Sequence, residues 1–198
     1  MKVESIGVFG SASSDDTRVI EQAREVGREI ATRGLLLVTG AGMGLPYEAV
    51  RGANELGGEV LGYSPATNED EHIRSYKFPI EGFSNIIYMP TYLSNRDRPF
   101  ILANQQMCKK LRNVLSVWRA NAGIIVGGRI GTMNEFTLLY DMGKSIGILE
   151  GSGGITTEAI KVLLRDAGKS SKSQIVLDSN PASLIEKLVN VCDSRQFA

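Results

Sequence analysis

Short apolar runs alternate with amphipathic stretches along the whole chain. Runs at 5–9, 35–39, 59–63, 85–89, 122–126, 146–149 and 174–177 read as strands. Stretches with helical periodicity fall at 16–32, 45–56, 97–118, 131–142, 155–166 and 181–192. Some strands are apolar at every position, as in Leu35-Leu36-Leu37-Val38 and Ile124-Ile125-Val126. Strands covered on both faces read this way. Regular alternation of strand and helix predicts an α/β chain with one Rossmann-like domain over residues 1–198. Its sheet should be doubly wound and mainly parallel, with helices on both faces. Ligands of such sheets sit beyond the carboxyl ends of the strands. The longest irregular stretch, 64–84, is either a lid or a solvated surface loop.

Three glycine-containing turns follow strands and so fall at that ligand-binding edge. The most informative is Gly127-Gly128-Arg129-Ile130-Gly131-Thr132-Met133-Asn134-Glu135, after the strand 122–126. A strand, a glycine turn and a helix start aim free backbone N–H groups and a helix dipole at one point, which suits a phosphate. Gly127, Gly128 and Gly131 allow close approach, and Thr132 can bind a phosphate oxygen. Glu135 lies about one helical turn further on. Thr132 and Glu135 also have the spacing of a capping box, and both roles stay open. Arg129 can pair with the phosphate or point to solvent.

The other two turns are less specific. Gly10 and Ser11 follow the first strand, and Ser11 is a candidate ligand contact. Ser14 or Asp15 is expected to cap the next helix. Gly40-Ala41-Gly42-Met43-Gly44-Leu45 follows the second strand. It offers backbone donors, or is only a tight turn. It fails the dinucleotide pattern G-x-G-x-x-G, because Leu45 stands where the third glycine belongs. Neither Gly143-Lys144-Ser145 nor Gly168-Lys169-Ser170 is a P-loop, since Leu138 and Leu163 replace the earlier glycine.

Composition narrows the partners. The 198 residues include 22 Lys+Arg and 22 Asp+Glu, for a net charge of zero. No basic field suggests nucleic acid, and no polybasic segment or long apolar run suggests a membrane. Cys108 and Cys192 are isolated, which fits a reduced, cytoplasmic setting. With His72 as the only histidine, no metal site is expected. Trp118 and Phe136 are expected in the core or at a subunit contact. Arg96, Asp97 and Arg98 form a charged cluster at a helix start.

Together these residues resemble the LOG family, which also carries a lysine-decarboxylase label. Its characterised members are nucleoside 5′-monophosphate phosphoribohydrolases. The family pattern P-G-G-x-G-T-x-x-E aligns without gaps on Gly127 to Glu135, and the family arginine of M-x-x-R-K falls on Arg112. The likeness spans roughly residues 4–190. It departs where Gly127 replaces the proline, where Arg129 replaces a glycine, and where Lys109 and Asn113 flank the arginine. These departures resemble the divergent branch that includes molybdenum-cofactor carriers.

The resemblance implies Glu135 and Arg112 as catalytic residues. Glu135 would stabilise an oxocarbenium-like sugar; Arg112 would hold Glu135 or the base, or would be an ordinary ion pair of its helix. It implies phosphate or nucleotide contacts from Gly10, Ser11, Gly40, Gly42, Gly44, Gly127, Gly128, Arg129, Gly131 and Thr132. The implied ligand is an AMP-like nucleotide, with no cofactor required, and the implied assembly is a homodimer or larger. Two functions stay open: a phosphoribohydrolase releasing free base and ribose 5-phosphate, and a non-catalytic carrier of a nucleotide or pterin. Lysine decarboxylation has no support, since no pyridoxal-phosphate lysine motif is present.

Overall fold

In the computed structural model the described residues are 3–89, 104–166 and 168–194. They form seven strands: β1 (Ser5–Gly10), β2 (Leu36–Thr39), β3 (Val60–Tyr63), β4 (Asn85–Ile87), β5 (Ala122–Val126), β6 (Ser145–Leu149) and β7 (Ile175–Asp178). The helices are α1 (Thr17–Thr32), α2 (Leu45–Glu55), α3 (Glu69–Arg74), α4 (Gln105–Arg119), α5 (Ile130–Asp141), α6 (Ala159–Asp166) and α7 (Pro181–Ser194). All pairings are parallel, in the order β4-β3-β2-β1-β5-β6-β7. The expected doubly wound sheet is therefore present, and it is parallel throughout.

The two-residue period of the strands divides their apolar runs between the two faces of the sheet. On β5, Ala122, Ile124 and Val126 face the core built with Val19, Val26 and Ile30 of α1, Ala49 and Val50 of α2, and Leu184 and Leu188 of α7. Ile125 faces the other way, with Phe9 of β1, Phe136 and Leu139 of α5 and Ile160 of α6. Phe136 is a core residue, whereas Trp118 is 67% exposed on this chain.

The strand order reverses direction between β1 and β5, which pair from Ile6↔Ala122 to Gly10↔Val126. The loops leaving these strands part to opposite faces and open a crevice between them. Ser11 N–H donates to Val126 O at 3.1 Å, so the two loops start side by side.

Several local expectations are corrected. Asp16, not Ser14 or Asp15, caps α1, its carboxylate accepting from Arg18 and Val19 N–H, while Ser14 Oγ accepts from Asp16 N–H. Stretch 64–84 holds the short helix α3, capped by Asn68 and with Glu69, Asp70 and Glu71 in its first turn. A six-residue helix is too short to show a period in sequence. The helix expected from 155 begins at 159, after a 3₁₀ turn at Gly154–Thr156. Helix α4 starts at Gln105 behind the cap Asn104; residues 97–103 of the expected helix, and the Arg96–Asp97–Arg98 cluster, lie outside the described residues. No helix among the described residues is long and apolar enough to cross a membrane.

Candidate functional site

The crevice at the β1–β5 switch holds two adjoining spaces. The larger, about 310 Å³, is lined by the end of β1, the Thr39–Met43 turn, Arg112 and Asn113 of α4, and Gly131, Thr132 and Glu135 of α5. The smaller, about 170 Å³, lies between Gly10–Ser13 and Arg129, Gly131 and Thr132. Gly10, Ala12, Gly131 and Thr132 border both.

The smaller recess sits at the start of α5. That helix begins with Ile130, and its first bond runs from Met133 N–H to Arg129 O at 2.8 Å. The N–H groups of Ile130, Gly131 and Thr132 therefore have no helical acceptor and carry the positive end of the dipole. Arg129 is exposed beside the recess and makes no ion pair or side-chain hydrogen bond among the described residues. Ser11 Oγ donates to Ser13 O at 2.6 Å, which holds the opposite wall.

Thr132 does not cap the helix. It is already the third helical residue, and its hydroxyl donates to Gly10 O at 3.0 Å, tying α5 to the end of β1. The Thr132–Glu135 capping box is thereby replaced, and Glu135 is turned inward.

Glu135 is 6% exposed. It makes no hydrogen bond or ion pair among the described residues, and it lines the larger cavity. Burial pushes its carboxyl up to about 7, against the opposing charges of Arg112 and Lys110. A group poised there exchanges protons readily near neutral pH.

Arg112 comes from α4 on the other side of the cavity. Its Nη1 donates to Gly40 O at 2.8 Å, so the second glycine turn, not Glu135, holds its guanidinium. Its Nε is buried and has no hydrogen-bond partner among the described residues. Burial draws the guanidinium below its ordinary value, and the charge of Glu135 opposes that shift. Arg112 and Glu135 thus face one cavity and sense each other without a direct ion pair.

The remaining expected residues divide into two groups. Gly10, Gly40, Gly42, Gly131 and Thr132 line the larger cavity; Ser11 and Arg129 line the recess. Gly44, Gly127 and Gly128 line neither. Gly44 lies against the Ser11–Ala12 backbone, where a Cβ would meet Ser11 O at 2.3 Å, and Leu45 N–H donates to Ser11 O at 2.8 Å. Gly127 N–H donates to Ser152 Oγ at 2.8 Å, and Gly128 O accepts from Ile155 N–H at 3.1 Å. These three glycines shape the turns around the site, and the Gly127 N–H and Gly128 O are already engaged within the protein.

Sequence reasoning missed Phe78, Met43, Pro46, Thr39 and Asn113, all cavity-lining. Thr39 and Asn113 directly adjoin positions that had been singled out. Phe78 lies within the stretch 64–84, read from the sequence as a lid or a solvated surface loop, but nothing local singles out this ring.

A search of curated protein sequences finds no match to the chain. Solved structures do match. The structural-genomics protein TM1055 superposes with a TM-score of 0.69 at 23% identity, over 94% of this chain and 99% of that one. The molybdenum cofactor binding protein from the phototrophic bacterium Rippkaea orientalis gives 0.68 at 22% identity, over 96% and 98%. The molybdenum cofactor carrier protein from Chlamydomonas reinhardtii gives 0.63 at 25% identity, over 94% and 98%. These neighbours agree with the divergent, carrier-like branch of the LOG resemblance. The model of the SLOG cluster4 family matches residues 3–185, and the chain belongs to that family.

Proposed function

We propose that this protein binds a small phosphate-terminated ligand of the nucleoside 5′-monophosphate class. The observation that carries the reading is the adjoining pair of spaces, which share Gly10, Ala12, Gly131 and Thr132. The recess offers an anion the first N–H groups of α5, the hydroxyl-bearing Ser11–Ser13 loop and Arg129, which has no ion pair or side-chain hydrogen bond among the described residues. The 310 Å³ cavity, within the usual range of about 300–1,000 Å³ for small-ligand pockets, takes the rest of the molecule. Calorimetric titration with AMP, GMP, CMP and UMP tests this. Saturable binding of at least one is expected; no binding by any of the four overturns the reading.

Hydrolysis of the bound nucleotide is supported by one further observation, the placement of Glu135 and Arg112 on the same cavity. In that reaction the C1′–N bond breaks and the departing base takes a proton from Glu135, while a water oxygen bonds to C1′ and its released proton returns to Glu135. Glu135, poised near 7, can supply the proton while neutral and stabilise the sugar cation once ionised. Arg112 adds positive charge near the leaving base. Product analysis after incubation should then show free base and ribose 5-phosphate with the native protein and neither with Glu135→Gln.

Intact nucleotide after incubation would favour the carrier reading. The molybdenum cofactor binding and carrier proteins with this fold support that alternative. Among the described residues no cluster of three His, Cys, Asp or Glu is placed to hold a metal. Such a cargo would be held by its phosphate and ring alone, and would co-purify with the protein.

A further inference from the structure

Phe78, on the loop after α3, lines the larger cavity and is only half-buried there. Its ring lies over the Gly40–Gly44 turn, with ring carbons 3.7 to 3.9 Å from where a Cβ on Gly42 would stand. Met43, 54% exposed, and Pro46 line the same cavity.

The ring is held firmly from behind. Phe78 N–H donates to His72 O at 3.1 Å. The His72 imidazole meets the Phe78 ring edge-on, with centroids 5.6 Å apart, and Tyr76 lies 5.4 Å away. His72 is itself fully buried, with Nδ1 2.8 Å from Ser64 Oγ and Nε2 3.0 Å from Pro79 O. A carbonyl can only accept, so Nε2 carries the hydrogen and donates to Pro79 O, while Nδ1 and the Ser64 hydroxyl share the second hydrogen bond. This fixed imidazole bolts the segment from Ser64 to Pro79 together. The backbone of this stretch is thereby fixed, and the His72 and Tyr76 rings pack against the Phe78 ring.

We propose that Phe78, with Met43 and Pro46 beside it, is the platform on which the ligand's aromatic heterocycle stacks, and that this surface gives the site its preference for ring-bearing phosphates. The proposal rests on the phosphate-terminated ligand argued above. It deepens that reading by assigning the ring end of the ligand to particular residues. Arg129, Ser11 and Gly131 hold the phosphate end in the recess; Phe78 and Met43 are on the wall formed by the second turn and the α3 loop. An apolar, aromatic wall with few polar groups accepts any flat ring, since every base has a π-face. A ring carried on a fixed backbone and already packed against His72 and Tyr76 loses less entropy on binding than a free one, which strengthens such a contact.

Calorimetry with AMP and ribose 5-phosphate on native protein, Phe78→Ala and Phe78→Trp tests the assignment. The native protein should bind AMP more tightly than ribose 5-phosphate. Phe78→Ala should weaken AMP about ten- to hundredfold and leave ribose 5-phosphate unchanged. Phe78→Trp should keep AMP binding and show tryptophan emission quenched by AMP but not by ribose 5-phosphate. The native Trp118 lies on the exposed outer side of α4, away from the cavity lining, and provides the unquenched control. Equal loss of both ligands in Phe78→Ala, or no loss of either, overturns the platform while leaving the phosphate site standing. Failure of the native protein to bind either ligand overturns both.

Discussion

The Arg112 guanidinium occupies the space that a side chain on residue 40 would need. Its Nη1 donates to Gly40 O at 2.8 Å and lies 1.3 Å from where a Cβ on Gly40 would stand. The glycine is required by this close approach, since its φ is one that any residue adopts. The contact fixes where the cation sits relative to Glu135. Gly40→Ala should therefore displace Arg112, destabilise the fold by about 1–3 kcal/mol and weaken nucleotide binding. Adding Arg112→Ala removes the clash, so the double variant should be less destabilised than the sum of the single ones by at least about 1 kcal/mol. Urea denaturation of the four proteins gives the cycle; strict additivity would contradict the contact.

Much of this geometry was legible in the chain. Apolar runs such as Ile124-Ile125-Val126 carry their own period, and the strand–turn–helix grammar puts the glycine turns at one edge of the sheet. Arg112 and Glu135 were marked by spacing within a resembling pattern. What could not be read is what depends on distant partners. The hydroxyl of Thr132 could have capped its own helix, yet it goes to Gly10 O on another strand. The N–H of Gly127 could have met a phosphate, but Ser152, 25 residues on, takes it. Phe78 reaches the cavity through contacts with His72 and Gly42 that no local motif announces.

Ser152 holds the turn at the end of β5 from inside the protein. It is 8% exposed; its hydroxyl accepts from Gly127 N–H at 2.8 Å and donates to Leu149 O at 2.6 Å. Ser152→Ala leaves the buried Gly127 N–H without this acceptor, and Leu149 O with only the long bond from the Ser152 backbone N–H at 3.4 Å. A loss of about 1–3 kcal/mol in folding stability is expected, from the desolvation of the N–H left unpaired. Calorimetric unfolding would check it, and a change below about 0.5 kcal/mol would show that the turn does not depend on this hydroxyl.

Arg129 should behave in the opposite way. It is exposed and makes no ion pair or side-chain hydrogen bond among the described residues. Arg129→Ala should leave stability within about 0.5 kcal/mol of native. Its effect belongs to the ligand: a charge-assisted bond to phosphate contributes roughly 1.5–3 kcal/mol, so the Kd for AMP should rise about tenfold or more. The difference should shrink in high salt, because an exposed pair is screened. Equal affinity of the variant at low salt would place the guanidinium in solvent.

Glu135 links the site to pH, and the sign follows from its burial. Its carboxyl titrates at about 7 in the folded protein, against 4.5 for the free group. Below pH 4.5 it is neutral in both folded and unfolded states, and its contribution to stability is fully present. As pH rises from there, the unfolded chain releases the proton while the folded chain retains it, so stability falls. The loss is complete above the folded value, where both states are ionised, and at about 1.4 kcal/mol per pH unit it reaches about 3 kcal/mol. Glu135→Gln has no proton to release and escapes this loss. Relative to native protein the variant should gain about 3 kcal/mol between pH 4.5 and pH 8 in urea denaturation. A difference that stays flat across that range would remove the buried-carboxyl account. If Glu135 also donates the proton to the leaving base, kcat should decline as pH rises through about 7, in step with the same titration.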